Sequence, residues 1–364
     1  MNISIFSFFS GSGFLDLGFE MNHFTIDYVN EYSESFLKAY KYSRKQLGIA
    51  EPKFGYSKDI NDCLSKDSKK LKAAIKADKN DGNLVGFIGG PPCPDFSVAG
   101  KQKGRDGDNG KLSQSYIDLI YRQRPDFFVF ENVKGLWKTA KHRAYYEDLK
   151  SKISQYYILT DRLCNAIEFG APQDRDRIIL FGVRKSVVKQ YNLNINNFNW
   201  DKYRVYDTSK LRSAEWPISS PFQQGIETKC PDGVTEQLTV EHWFSKNHVN
   251  IHPNHKDYFQ PQAGLARMQT IQEGDVTKKS YKRLHRWRYS PTACYGNNEV
   301  HLHPYEERRI SAAEALAIQT LPEAFCLPPD MTLTDKFKTI GNGVPYVLAE
   351  GIAKTIYDFF NQIR

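Results

Sequence analysis

The chain has 364 residues, enough for about two domains and an ample core, which excludes both a small disulfide-stapled scaffold and a long repeat array. With 40% hydrophobic and 25% charged residues it is too apolar for disorder, yet no run approaches the roughly 18–20 apolar residues of a membrane helix. The net charge of +8 favours a polyanionic partner, and the opening MNISIFSFFSGSG lacks the basic region and cleavage site of a signal peptide, so a cytoplasmic protein with no membrane attachment is expected.

Ile3, Ile5, Phe6, Phe8 and Phe9 predict an opening strand that ends at once in Ser10-Gly11-Ser12-Gly13, followed by a helix over Phe14 to Met21. A strand, a glycine turn and a helix in succession aim backbone amides at a ligand, although a tight turn with no ligand has the same local pattern. Tyr28-Val29-Asn30-Glu31 closes a second strand with an acid about 20 residues after Gly11, where a ribose-binding carboxylate belongs. Asp59-Ile60 ends a further short stretch and suits a place beside an adenine ring. Leu64, Leu71, Ala74 and Ile75 recur at helical spacing among lysines, predicting an amphipathic helix that leads into a buried strand at Leu84 to Ile88. Phe127 to Phe130 and Ile178 to Phe181 read as further buried strands, and strands alternating with helices predict a parallel α/β sheet.

Between Lys185 and Tyr289 the pattern changes. This stretch holds 16 Lys and Arg against 10 Asp and Glu, which is +6 of the total charge, and it shows little sustained period. It reads as a separate, irregular, basic module. Lys278-Lys279-Ser280-Tyr281-Lys282-Arg283-Leu284-His285-Arg286-Trp287-Arg288-Tyr289 interleaves basic and aromatic residues, which suits phosphate contacts and stacking; a solvated charged face is the alternative. His242, His248, His252 and His255 crowd the same region, and without a cysteine pair they read as loop histidines near the polyanion and not as a metal site. Beyond the module, Ser311 with Glu314 predicts a capping box opening a helix to Gln319, and a last helix runs from about Pro345 to Phe359.

The chemistry-bearing loop is Gly89-Gly90-Pro91-Pro92-Cys93-Pro94-Asp95-Phe96-Ser97, directly after a buried strand. Prolines hold the backbone that presents Cys93, so a nucleophilic thiolate is the functional reading and an inert buried thiol the bland one. The six cysteines lie at least 30 residues apart, too far for a CxxC pair, and the other five read as inert. Glu131-Asn132-Val133 sets a carboxylate at the same sheet edge, and the arginines of Gln173-Asp174-Arg175-Asp176-Arg177 face one way if extended. Gly104 to Gly110, with Arg105, Asp106 and Lys111 around it, reads as a mobile loop able to close over a ligand, or as an ordinary turn.

Phe9 to Gly13, Pro91 to Cys93, Glu131 to Val133, Gln173 to Arg177 and Gly341-Asn342-Gly343-Val344-Pro345 occur in that order, and the set resembles the DNA methyltransferases that make 5-methylcytosine. The resemblance covers nearly the whole chain outside the basic module, with Arg309 to Leu321 similar to the family's ninth motif. Two positions depart from the pattern, Pro94 where glutamine is usual and Gly343 where serine or alanine is usual. The resemblance implies a Rossmann-like domain that binds S-adenosylmethionine, formed by residues 1–184 and 283–364, with a smaller target-recognition domain at 185–282. It implies catalytic roles for Cys93, Glu131, Arg175 and Arg177, and a cofactor pocket lined by Phe9, Gly11, Gly13, Glu31, Asp59, Ile60, Pro92 and Asn342. Lys278, Lys279, Lys282, Arg283 and Arg286 are the expected DNA contacts, and no metal is expected. The implied partners are double-stranded DNA and a restriction endonuclease of the same specificity, for a compact monomer of bacterial or phage type with no extra regulatory domain. Three rivals stay open on the residues alone. A nicotinamide oxidoreductase explains Gly11, Gly13 and Glu31 but not Cys93 or Glu131. A catalytically dead binding protein should have lost one of those two. An RNA methyltransferase is opposed only by the size of the basic module.

Overall fold

In the computed structural model, residues 2–92, 108–261, 264–278, 280–292, 295 and 301–362 are described. The first half builds strand β1 (Ile3–Phe8), helix α1 (Phe14–Glu20), β2 (Phe24–Asn30), α2 (Glu34–Gln46), β3 (Tyr56–Ser57), α3 (Ile60–Leu64), α4 (Ser68–Asn80) and β4 (Leu84–Gly89). It continues with α5 (Asp108–Gln123), β5 (Phe127–Val133), α6 (Lys134–Lys138), α7 (Ala140–Ile153), β6 (Tyr157–Asn165) and β7 (Asp176–Arg184). These seven strands form one sheet in the order β3-β2-β1-β4-β5-β7-β6. β1 pairs in parallel with both β2 and β4, and β4 with β5, but β7 runs antiparallel to β5 and β6. The expectation of a parallel sheet therefore holds for six strands, since β6 runs with the first five, and is corrected at β7 alone. Residues 166–175, which include a 3-10 turn at Ala166–Phe169, return the chain directly beside β6 as a hairpin, which requires antiparallel pairing.

Strand alternation sends side chains to two cores. Ile3, Ile5, Phe127 and Val129 meet α1 and the chain's last helix on one face, whereas Phe6, Phe8, Phe128 and Phe130 meet α4, α5 and α7 on the other. The sheet is thus the middle of three layers, a doubly covered Rossmann-like arrangement. The predicted helix around Leu64 to Ile75 is two pieces, α3 and α4. Asp59 caps the first by accepting from Asn61 N at 2.8 Å.

Beyond β7 lie α8 (Lys185–Tyr191), α9 (Thr208–Ser213), α10 (Val240–Lys246), α11 (Leu265–Gln269), β8 (Lys282–Arg283), β9 (His301–Leu302), α12 (Ala312–Ile318), α13 (Leu333–Asn342) and α14 (Tyr346–Asn361). Much of this stretch is irregular. Val187 and Phe198 nevertheless pack into the core beneath the sheet, and Val240, Trp243 and Phe244 share a third core with α12 and α13. At α12 the predicted capping box is present: Ser311 Oγ accepts from Glu314 N at 3.2 Å and Ser311 N donates to Glu314 Oε2 at 2.7 Å. No helix among the described residues is long and apolar enough to cross a membrane.

Candidate active site

The parallel strands place their carboxyl ends along one edge, and the order changes direction between β1 and β4. A crevice at such a switch point is where α/β proteins take ligands. β1 leaves this edge through Phe9, Gly11 and Gly13, all with positive φ (55°, 58° and 81°), a backbone course that the two glycines take without strain and Phe9 does not. Phe9 is half-buried and meets Tyr116 edge-on, the ring centroids 6.0 Å apart. Glu31, just past β2, is buried and bridges the turn: its Oε2 accepts from Gly11 N and its Oε1 from Ser33 N, each at 2.7 Å. Burial raises the Glu31 carboxyl above its ordinary range, and the backbone amides of Ser33, Gly11 and Tyr32 pull it back.

The glycine-rich C-terminal motif reaches the same place. Ser12 and Thr339 hydroxyls lie 2.7 Å apart, and a Cβ at Gly343 would fall 2.2 Å from the Phe14 ring, so the motif packs against the start of α1. Asn342 is exposed at the end of α13, Pro92 is half-buried after β4, and Ile60 is buried behind Asp59. Asp59 itself is tied to its own helix start. Asn30 Nδ2 nevertheless donates to Ser57 Oγ at 2.8 Å and Lys58 O at 3.2 Å, which joins that segment to the end of β2.

A second cluster sits at the ends of β4, β5 and β7. Glu131 is 7% exposed, and Arg177 Nε stands 2.7 Å from its Oε1. The register explains the pairing: Val133 faces Arg177 and Glu131 faces Ile179, so the acid and the arginine are diagonal neighbours on one face. Burial pushes the Glu131 carboxyl up, opposed by Arg177 and then Arg175. The carboxylate also lies over Gly90, where a Cβ would come within 2.5 Å of Oε2. Only glycine admits this approach at the start of the cysteine loop. Cys93 and Pro94, and with them residues 104–107 of the expected mobile loop, lie outside the described residues, and 108–110 begin α5.

Arg175 turns elsewhere. It is 1% exposed and donates through Nη2 to Gly341 O at 2.7 Å and through Nη1 to Gln173 Oε1 at 3.3 Å. Gln319 Nε2 donates to Ile340 O at 2.6 Å beside it. The arginine motif and the C-terminal motif are therefore bonded to each other, a link with no signal in either motif. The sequence also did not single out the Lys134–Asp176 ion pair or Asn165, which donates to Asp174 Oδ1 at 2.6 Å and Asp176 Oδ1 at 2.9 Å to brace the motif's acids.

The expected DNA contacts divide. Lys278 is exposed, Lys282 is half-buried and Lys279 lies outside the described residues. Arg283 and Arg286 are corrected, because both guanidinium groups are buried and committed internally. Arg283 is 0% exposed and donates to Met268 O at 2.7 Å, Ile271 O at 2.9 Å, His303 O at 2.6 Å and Glu306 O at 3.0 Å. Arg286 is held by Glu273, with Nε to Oε1 and Nη2 to Oε2 both at 2.9 Å. In a segment with little regular structure, these groups satisfy carbonyls that no ladder satisfies. His252 is also a structural group: its Nδ1 accepts from Asn254 N at 3.0 Å and its Nε2 lies 3.1 Å from Phe325 O. Among the described residues no metal-binding cluster exists. Ser290, just after the basic run, forms a parallel bridge with Gln173, with Asp174 N donating to Ser290 O at 2.9 Å. The basic segment is thereby fastened to the motif that carries Arg175 and Arg177.

The sequence model of the C-5 cytosine-specific DNA methylases matches residues 3–358. The chain is 56% identical to the Type II methyltransferase M.NmeDI of Neisseria meningitidis serogroup C over 98% of its own length and 83% of that protein's. It is 29% identical to the Type II methyltransferase M.FnuDI of Fusobacterium nucleatum, covering 98% and 96% of the two chains. The crystal structure of a prophage-encoded Escherichia coli protein, described as a DNA modification methyltransferase, superposes with a TM-score of 0.67 at 22% identity, over 99% of this chain and 100% of that one, and supports the fold. With the edge-on glycine turn, the Glu131–Arg177 pair and the joined motifs all set in one α/β sheet, the chain belongs to the C-5 cytosine-specific DNA methylases.

Proposed function

We propose that the protein methylates carbon 5 of a cytosine within a specific duplex DNA sequence, after flipping that base out of the stack, through a covalent adduct with Cys93. The observation that carries this reading is the buried Glu131 carboxyl, raised by burial, held by Arg177 and lying over Gly90 three residues before Cys93. Carbon 5 of cytosine is a weak nucleophile. Addition of the Cys93 thiolate to carbon 6 makes carbon 5 enamine-like and moves electron density towards ring nitrogen 3. A carboxyl whose hold on a proton is strengthened by burial can share one with that nitrogen and so supports the addition, and Arg177 beside it suits the exocyclic oxygen. Loss of the carbon 5 proton then expels the thiolate and restores both the aromatic ring and Cys93. A base stacked in a duplex is out of reach of such a site, so flipping, at a cost of a few kcal/mol, is part of the proposal.

The residues fit S-adenosylmethionine. Each Glu31 carboxylate oxygen keeps a lone pair beyond its bond to a backbone amide, which suits a ribose diol, and Gly11 leaves open space above the turn, with the nearest atom to a built Cβ at 4.0 Å. When bound, this cofactor supplies an electrophilic methyl group. Phe9, Gly11, Gly13, Glu31, Asp59, Ile60, Pro92 and Asn342 are the proposed pocket. Residues 185–282 are the proposed reader of the DNA, with Lys278, Lys279 and Lys282 on phosphates, and the Type II naming of the relatives supports an endonuclease with the same site. Bisulfite sequencing of DNA from expressing cells locates the target, and a duplex bearing 5-fluorocytosine there tests the chemistry, since fluorine cannot leave as a proton does. With S-adenosylmethionine the wild type should form an adduct visible by mass spectrometry and Cys93→Ala should not. A wild type that methylates cytosine but gives no adduct refutes the covalent route.

A further inference from the structure

We infer that Arg44 is a positioning residue for the cofactor: its guanidinium sets the shape of the glycine turn, and Gly13 lacks a side chain to make room for it. The inference rests on the proposed reading that this turn holds S-adenosylmethionine. Arg44, in the last turn of α2, is 4% exposed. Its Nη1 donates to Ser12 O at 3.0 Å and its Nη2 to Gly13 O at 2.6 Å. The opposite edge is held by Glu20 of α1, at 3.1 Å from Nε and 2.7 Å from Nη2, and the Tyr40 ring lies 4.1 Å from the guanidinium carbon.

This arrangement gives Gly13 a reason to lack a side chain beyond its positive φ. A Cβ built on Gly13 would lie 2.3 Å from Arg44 Nη1 and 2.5 Å from its Cζ, a clash with the guanidinium itself. Gly11, by contrast, is the glycine with open space above it. Drawing the Ser12 and Gly13 carbonyls towards α2 fixes the peptide planes of the turn, and with them the Gly11 amide that holds Glu31 Oε2 at 2.7 Å. The route from Arg44 to the ribose-binding carboxylate is thus one turn of backbone and one hydrogen bond. A fork-shaped donor is needed because two carbonyls and a carboxylate must be satisfied together, which an ammonium group cannot do in the same geometry. Beneath the turn, Asp16 shares this buried neighbourhood. It is bonded to Ser7 Oγ at 2.8 Å, and Ser7 Oγ lies 2.8 Å from Ser10 Oγ, so the floor of the turn is polar as well.

The test uses the full chain with Arg44→Lys, and Arg44→Met combined with Glu20→Gln so that the Glu20 carboxylate is not left without its partner. S-adenosylhomocysteine affinity is measured by calorimetry, duplex DNA affinity by anisotropy, and amide exchange over residues 8–20 without ligand by mass spectrometry. Both variants should bind S-adenosylhomocysteine at least tenfold more weakly, keep DNA affinity within twofold, and exchange faster at residues 10–14 with β5 unchanged. A purely structural role would move both affinities together, and that result overturns the inference, as does unchanged S-adenosylhomocysteine affinity. Should the double variant fail to fold, Arg44→Lys decides by the same readings. If the wild type itself binds no S-adenosylhomocysteine, the cofactor reading fails, and unaltered exchange in Arg44→Lys would separately overturn the role of Arg44 in shaping the turn.

Discussion

Asp16 lies buried beneath the glycine turn, and replacing it by asparagine should leave a signature in the pH dependence of stability. Its Oδ1 accepts from Ser7 Oγ at 2.8 Å, and burial pushes its carboxyl from the ordinary 3.8 up to about 7, with Arg44 opposing and Glu20 reinforcing the rise. Since the folded value is the higher one, the folded state holds the proton longer than the unfolded chain does. Its stabilising contribution is complete below pH 3.8 and is lost as the pH rises through about 7. The gap between 3.8 and about 7, at about 1.4 kcal/mol per pH unit, amounts to at most about 4 kcal/mol. Asp16→Asn can keep the bond from Ser7 and has no proton to lose, so it lacks this slope. Urea unfolding followed by tryptophan fluorescence, from about pH 4.5 to about pH 8, should show the variant gaining on the wild type steadily up to pH 7 and levelling above it. Parallel stability curves for the two proteins would refute the buried, proton-retaining Asp16.

Glu131→Gln should lower turnover by roughly 10²–10⁴, the contribution of a positioned acid, while S-adenosylhomocysteine affinity stays at the wild-type level; a loss confined to cofactor binding would reassign the residue. Arg283→Met should cost about 3–5 kcal/mol in urea unfolding, because four backbone carbonyls lose a buried charged donor, and the surviving folded protein should keep the wild-type salt slope of DNA binding. Replacing Lys278, Lys279 and Lys282 by glutamine should instead leave stability nearly unchanged and reduce that slope by up to about 0.9 for each phosphate that is no longer neutralised, equally for target and non-target duplexes.

What the sequence discloses and what it withholds follows the range of the interaction concerned. The glycine turn, the capping box of Ser311 and Glu314 and the strand-end Glu131 are visible because their signals span a few residues. The antiparallel course of β7 is invisible in Ile178 to Phe181, whose apolar run suits either direction. Arg283 and Arg286 are misleading for a deeper reason: in a string of basic residues, only the tertiary positions of Met268, Ile271, Glu273 and His303 decide which guanidinium groups turn inward. Arg175 and Arg177 look equivalent by alternation, yet one meets Glu131 and the other the Gly341 carbonyl. Arg44, in a lysine-rich helix end, carries no local mark at all.

The helix that ends the described chain covers a surface made by the beginning. Val344, Leu348, Ile352, Ile356, Phe359 and Phe360 share one core with Ile3, Phe19, Phe127 and Phe181, and Gly18 is so close to α14 that a Cβ there would stand 2.6 Å from the Ala349 backbone. On the ribosome, all seven strands of the main sheet have been made about 160 residues before this helix exists. At about 5–20 residues per second, the part of this sheet face that α14 covers waits roughly 8–30 s with its phenylalanines bare. The nascent enzyme is therefore expected to depend on chaperone shelter during that interval, and a chain cut before Tyr346 to aggregate even though most of its catalytic motifs have already been synthesised.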